Sequence, residues 1–248
     1  MNAVDPAVSF THVTKRFGAQ TVLSDVSFRI PAGRAFCLLG RSGTGKSVTL
    51  RHIVGLVTAD EGDVRVAGFD IARLQPRELS RVRLGIGFLF QSAALFDSMT
   101  VGENVAFPLH RHTRLSHTAI RARVRERLAD VGLQADIDKM PGELSGGMRK
   151  RAGLARAMAL DPSLLLVDEP SAGLDPLTAS EIDELLVARK RAGTTLVIVT
   201  HNIPSARVLA DEIAVLDGGR IIARGSARDL DASADPLVQA FMRSASGG

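Results

Sequence analysis

A dense apolar run at residues 35–39, Ala-Phe-Cys-Leu-Leu, passes without a break into Gly40-Arg-Ser-Gly-Thr-Gly-Lys46-Ser47. A segment with helical apolar spacing follows directly, carrying Val48, Leu50, Ile53, Val54 and Leu56. Strand, glycine-rich loop and helix in that order narrow the fold more than any other feature of the chain. The spacing G-x-x-x-x-G-K-[ST] lets the backbone curl into a concavity whose N–H groups point at phosphate oxygens. The helix that starts there adds the positive end of its dipole. Gly40, Arg41, Ser42, Gly43, Thr44, Gly45, Lys46 and Ser47 are therefore the candidate nucleotide-binding residues. Lys46 would reach the β- and γ-phosphates of ATP, and the Ser47 hydroxyl can ligate Mg²⁺.

The remainder of the chain supplies a setting for such a loop. Residues 8–30 read as short alternating strands closed by Pro31-Ala-Gly33, and residues 62–68 restore strand and turn signals. From Met148 the pattern runs helix, strand (164–167), helix (about 177–191), strand (194–200), helix, strand (212–216). Such alternation indicates parallel βαβ units with ligands at the strand C-termini. Between the two parts, residues 92–145 change character. Ile120, Val124, Leu128 and Val131 form one helical stripe, so this stretch reads as a helical insertion.

With 45% hydrophobic and 23% charged residues, 248 residues can bury a substantial core. The net charge of +4 is too modest to mark a nucleic-acid surface. One cysteine excludes a disulfide framework and a multi-cysteine zinc site. Ten Phe with no Trp and no Tyr leave few groups that could stack on a base. No apolar run approaches the roughly 18 residues of a membrane span, and the first ten residues lack a signal-peptide pattern. The expectation is a soluble, cytoplasmic protein, or one held at a membrane only through a partner.

A second chemical signature is Asp168-Glu169-Pro170, at the end of the fully apolar run 164–167. Two adjacent carboxylates belong there only at an exposed C-terminal rim. Side chains alternate along a strand, so the two should take different tasks. Asp168 would hold the Mg²⁺ shell, and Glu169 would polarise the attacking water. Taken alone, Asp-Glu-Pro is also common turn chemistry.

Four further features follow the same order as a known family. Gln91 follows the strand at 86–90, Leu144-Ser145-Gly146-Gly147-Met148 precedes a helix, Ser171-Ala-Gly-Leu-Asp175 follows the acidic pair, and His201 ends the strand at 194–200. Together with the phosphate loop, this set resembles the nucleotide-binding domain of ABC ATPases over residues 8 to about 225. The resemblance implies an α/β, P-loop NTPase (RecA-like) core with an antiparallel β subdomain and an inserted helical subdomain at about 92–158. It places the ATPase domain at 8–240 and leaves a short C-terminal tail at 241–248.

The same resemblance implies a head-to-tail dimer with a second copy of the chain. Ser145, Gly146 and Gly147 would then face the γ-phosphate of the opposite site, and Asp175 would link the two sites. Gln91 would share Mg²⁺ with Ser47 and Asp168, and would act in catalysis with Glu169 and His201. Phe17 would stack on adenine, the alternative being that it packs the sheet edge. Val48 stands where many family members carry Ser or Thr, so only its backbone N–H would serve the α-phosphate.

Residues 90–109, residues 143–151, and residues 225–228 with 235–241 resemble the ATPases of MCE-type phospholipid transporters, Met148 standing where most ABC domains carry Gln. Ser171 departs from that subfamily, which often has Phe there. Implied partners are a membrane permease subunit, an MCE-domain substrate protein and a STAS-domain protein, at the cytoplasmic side of the inner membrane. Residues 96–109 would receive a permease coupling helix. An ABC transporter for another small or hydrophobic solute is the alternative. A nucleic-acid-handling member is disfavoured by the single phosphate loop, and no nucleic acid partner is expected. Residues 110–127, with six Arg, three His and one Glu, are either a solvated face or a surface for anionic lipid or an acidic partner.

Overall fold

Three phenylalanines join the two sheets of the protein. In the computed structural model, which describes residues 6–243, β1 (Val8–Phe17) pairs antiparallel with β2 (Gln20–Ile30). Phe10 of β1 stacks on Phe28 of β2 at 4.4 Å, and Phe28 stacks on Phe36 of β3 (Ala35–Leu39) at 4.8 Å. Stacked rings add directional attraction to a large apolar burial. Here they lock the small antiparallel sheet onto the large one.

After β3 come α1 (Lys46–Ile53), β4 (Glu61–Val66), β5 (Phe69–Asp70), α2 (Pro76–Leu84) and β6 (Ile86–Leu89). The small sheet has the order β2-β1-β4-β5. An all-helical stretch follows, with α3 (Val101–His112), α4 (His117–Asp130) and α5 (Gly146–Ala157). The chain then alternates through β7 (Leu164–Asp168), α6 (Pro176–Arg191), β8 (Thr195–Thr200), α7 (Ile203–Leu209), β9 (Glu212–Asp217) and β10 (Arg220–Gly225). The large sheet has the order β10-β9-β3-β8-β7-β6, parallel except for the β9–β10 hairpin.

Every residue of β3, β7 and β8 is buried, as expected of parallel strands covered on both faces. Ala35, Cys37 and Leu39 face the core shared with the helical stretch, whereas Phe36 and Leu38 face the antiparallel sheet and α1. The stripe Ile120, Val124, Leu128 and Val131 is buried in the first of these cores. Burial pushes the Cys37 thiol far up, with the Glu169 charge adding to it, so this cysteine is inert packing.

Two expectations change. Leu56 does not extend the apolar face of α1: the helix stops at Ile53, Gly55 takes φ +66°, and Leu56 is exposed. The C-terminal region also carries more structure than its polar composition suggests. α8 (Ala227–Asp231) and α9 (Pro236–Arg243) follow β10, and Val238 and Met242 are buried. Residues 241–243 of the expected tail thus belong to a packed helix. Residues 244–248, like residues 1–5 at the start, lie outside the described residues.

Candidate functional site

The strand order brings three C-terminal ends side by side. β8 lies between β3 and β7, so the loop after β3, the carboxylates after β7 and His201 after β8 share one rim. Neighbouring strands lie about 4.8 Å apart, which puts β3 and β7 about 10 Å apart, within reach of a lysine from the loop. The site is built from that spacing.

In the loop, Gly45 has φ +103°, and an added Cβ would stand 2.9 Å from the Val22 carbonyl oxygen of β2. Only glycine permits this backbone and this approach. Lys46, 5% exposed, curls back over the loop. Its Nζ donates to the carbonyls of Gly40 at 2.8 Å and Arg41 at 3.1 Å and lies 3.3 Å from Glu169 Oε1. Ser47 Oγ donates to Asp168 Oδ1 at 3.0 Å. A hydroxyl and a carboxylate converging beside a phosphate-type loop are hard oxygen donors, a set that fits Mg²⁺.

Glu169 does not continue the strand. β7 ends at Asp168, and Glu169 adopts φ +47°, a left-handed conformation uncommon for a side-chain-bearing residue. Strand alternation is therefore not what separates the two carboxylates, because the backbone turn re-aims the second one. Strain of this kind persists only where surrounding contacts enforce it. The Glu169 N–H donates to Val199 O at 2.9 Å, and its carbonyl accepts from the buried Lys150 ammonium at 2.8 Å. Its Oε2 accepts from Thr200 Oγ1 at 3.0 Å and from the His201 N–H at 3.3 Å, and lies 2.9 Å from His201 Nδ1.

These environments drive the adjacent acids in opposite directions. Burial pushes Asp168 above its ordinary carboxylate range, although the Ser47 hydroxyl bond opposes it. Burial also acts to raise Glu169, but the His201 hydrogen bond, the Lys46 charge and the Thr200 hydroxyl together outweigh it and hold the group below its usual value. Glu169 is thus kept ionised, able to accept a proton. The two adjacent acids are thus held in different protonation tendencies by their surroundings.

The other expected residues are more dispersed. Gln91 is exposed just after β6, and no hydrogen bond joins it to Ser47, Asp168 or Glu169 among the described residues. Ser145 caps α5, its Oγ accepting from the Met148 N–H at 3.2 Å. Gly147 packs so closely on α6 that a Cβ would lie 2.2 Å from Thr178 Cγ2. Asp175 caps α6, accepting from the Thr178 hydroxyl at 2.6 Å and from the N–H groups of Leu177 and Thr178. That hydroxyl, first among these bonds, holds its carboxyl below the usual range. Residues 145–147 and 175 therefore form one unit across α5 and α6. No hydrogen bond or ion pair links that unit to the Gly40–Ser47 loop among the described residues.

Phe17 is 48% exposed at the tip of the β1–β2 hairpin, with Lys15 Nζ 5.3 Å from its ring centroid. The same hairpin carries Val22, which touches Gly45, so the ring stands on the strand pair that flanks the loop. Val48 is half-buried on α1, its carbonyl 2.8 Å from His52 Nδ1. Ser171 accepts from Asn202 Nδ2 at 3.1 Å, a bond that Phe could not make. Among the six arginines of 110–127, Arg123 and Arg127 are tied to Asp161, Glu126 and Asp130. The basic stretch is thus part structural and part surface. Sequence reasoning missed Thr200 and Lys150; a hydroxyl at the end of an otherwise apolar strand was the available signal for the first.

The sequence and the fold both have counterparts among known proteins. The family model for ABC transporters matches residues 23–172. The chain is 43% identical over 237 residues to the probable ribonucleotide transport ATP-binding protein mkl of Mycobacterium tuberculosis, covering 95% of this chain and 66% of that protein. It is 39% identical over 236 residues to the intermembrane phospholipid transport system ATP-binding protein MlaF of Escherichia coli, covering 95% of this chain and 86% of that one. Among solved structures, the dimeric post-hydrolysis state of the ATP-binding cassette MJ0796 with ADP and Pi superposes with a TM-score of 0.82. The match has 33% identity and covers 88% of this chain and 98% of that one.

Proposed function

The chain belongs to the ABC transporter family, and from that premise we propose that it is the ATP-hydrolysing subunit of a membrane transporter that moves phospholipid. The observation that carries the hydrolytic reading is the cluster of buried Lys46, Glu169 and Thr200 with the exposed His201 at the joined ends of β3, β7 and β8. In this reading the loop N–H groups and Lys46 bind the ATP phosphates. Ser47, Asp168 and Gln91 would hold Mg²⁺, whose charge neutralises the phosphates when it is bound. Glu169, kept ionised, draws the proton from the attacking water. His201 and Thr200 orient Glu169, and His201 reaches for the γ-phosphate.

Ser145, Gly146, Gly147 and Asp175 serve the site of a second copy in a head-to-tail dimer. The reading is supported by their grouping away from their own loop and by the dimeric relative. Loss of the γ-phosphate then removes what bridges the two copies, which couples chemistry to opening. Residues 8–243 act as one cassette, with 92–158 as its permease-facing helical part. Where that part meets β6, Phe88, Phe90, Phe96 and Phe107 line a cavity of about 340 Å³, and a permease coupling helix would sit in it. No helix among the described residues is long and apolar enough to cross a membrane, so attachment to the inner membrane runs through that permease. An MCE-domain protein and a STAS-domain protein complete the assembly.

The phospholipid assignment rests on the similarity to MlaF across nearly the whole chain. The mycobacterial relative's name favours a second reading, a ribonucleotide or another small solute. A tagged pull-down from detergent-solubilised membranes, followed by lipid extraction, separates them. A multi-span permease with co-purifying phospholipid is the expected result. A permease complex free of lipid that binds a nucleotide solute would overturn the phospholipid reading and keep the ATPase.

Adenine stacking has its own test. Base–aromatic stacking contributes about 1–3 kcal/mol, so Phe17→Ala should raise the ATP KM at least severalfold while kcat at saturation holds. Unchanged KM would return Phe17 to sheet-edge packing.

A further inference from the structure

The C-terminal helix reaches the nucleotide loop. Phe241 and Ala240 of α9 line a cavity of about 440 Å³ together with Gly40, Arg41, Ser42 and His201. The Arg41 guanidinium carbon lies 5.7 Å from the centroid of the Phe241 ring, within cation–π range. Arg41 is also the hub of the loop's internal bonding. Its carbonyl accepts from Lys46 Nζ at 3.1 Å, from Thr44 Oγ1 at 2.9 Å and from the Thr44 N–H at 3.4 Å. A side chain that holds Arg41 therefore bears on where Lys46 sits.

The helix that presents Phe241 is itself anchored. Val238 and Met242 are buried in the main core, and Arg207 of α7 forms a two-pronged pair with Asp231 at 2.6 Å on each arm. Arg207 Nη2 donates again to the Met242 carbonyl at 3.4 Å, and Gln239 Nε2 closes back onto the Ser233 carbonyl at 2.8 Å. α9 is thus fixed to α7, the helix that begins two residues after His201. The aromatic ring on it is a rigid stop against one edge of the loop.

We propose that Phe241 is a positioning residue for nucleotide binding, acting through Arg41 to hold the phosphate loop and Lys46 in their receiving arrangement. Its ring is held against Arg41 and is not among the groups bonded to Glu169, so its effect falls on affinity and leaves the chemical step alone. This rests on the reading of residues 40–47 as the nucleotide loop. Wild-type turnover of Mg-ATP tests that reading separately, since a wild-type protein without turnover or ATP binding would fail before any variant is compared.

The test compares Phe241→Ala, Phe241→Leu, Phe241→Tyr, Arg41→Ala and the double variant Phe241→Ala/Arg41→Ala, all in the full chain. ATP KM, kcat and thermal midpoint are measured for each. A partly exposed cation–π contact corresponds to a roughly two- to fivefold rise in KM for the Ala and Leu variants. Unchanged kcat in the Phe241 variants, recovery with Tyr, and a double variant no weaker than Arg41→Ala alone complete the expected pattern. Wild-type KM in Phe241→Ala overturns the proposal. So does wild-type behaviour in Phe241→Leu, which would leave packing alone. Additive losses in the double variant, or parallel falls in kcat and thermal midpoint, overturn it as well.

Discussion

Glu169→Gln should retain ATP and lose turnover by about 10²–10⁴-fold, the range attributed to a positioned general base. The amide keeps the shape and can still accept the Thr200 hydroxyl at the Oε2 position, so the rim should stay assembled. It cannot hold the negative charge that faces Lys46 at 3.3 Å, nor take a proton from water. With binding intact and hydrolysis blocked, ATP-bound dimers should accumulate. Phosphate release and gel filtration with Mg-ATP measure the two halves of the prediction. Near-normal phosphate release would remove Glu169 as the base and point to His201 alone.

Lys46→Ala should act earlier, on binding. The ammonium is almost enclosed and serves three acceptors at once: two loop carbonyls and the Glu169 carboxylate. A hydrogen bond to a charged group contributes about 1.5–3 kcal/mol. At roughly 1.4 kcal/mol per tenfold, losing the ammonium's bond to phosphate should lower ATP affinity by about 10- to 10²-fold. Glu169 should also rise in pKa, because one of the charges holding it down is gone. Lys46→Met keeps most of the side-chain volume and separates packing from charge. Equilibrium titration with a fluorescent ATP analogue reads both variants, and wild-type affinity in either would sink the role of Lys46.

Much of the site was legible because its residues are tied to local signals. The loop announces itself by glycine spacing between an apolar strand and a helix, and Lys46 and Ser47 occupy the places that spacing assigns. Asp168 and Glu169 stand out as two adjacent carboxylates closing a fully apolar run. The C-terminal helices were not legible in the same way. α9 depends on two residues, Val238 and Met242, finding the core, and no local pattern announces a long-range partner. Leu56 fails in the opposite sense: its spacing fits α1, but a glycine in the left-handed region ends the helix first.

The contrast is sharpest within the acidic pair. Sequence alone determined that the chain forms parallel βαβ units around a phosphate loop, and that two carboxylates sit at a strand end beside it. These follow from periodicity, glycine spacing and apolar runs, all written within a few turns of chain. Only the tertiary structure decided that β8 lies between β3 and β7, which brings Thr200 and His201 onto Glu169. It also set the left-handed turn at Glu169, which re-aims its carboxylate and places it 3.3 Å from Lys46. Strand order and a single strained dihedral arise from contacts between distant segments, and neither has a signature in local sequence.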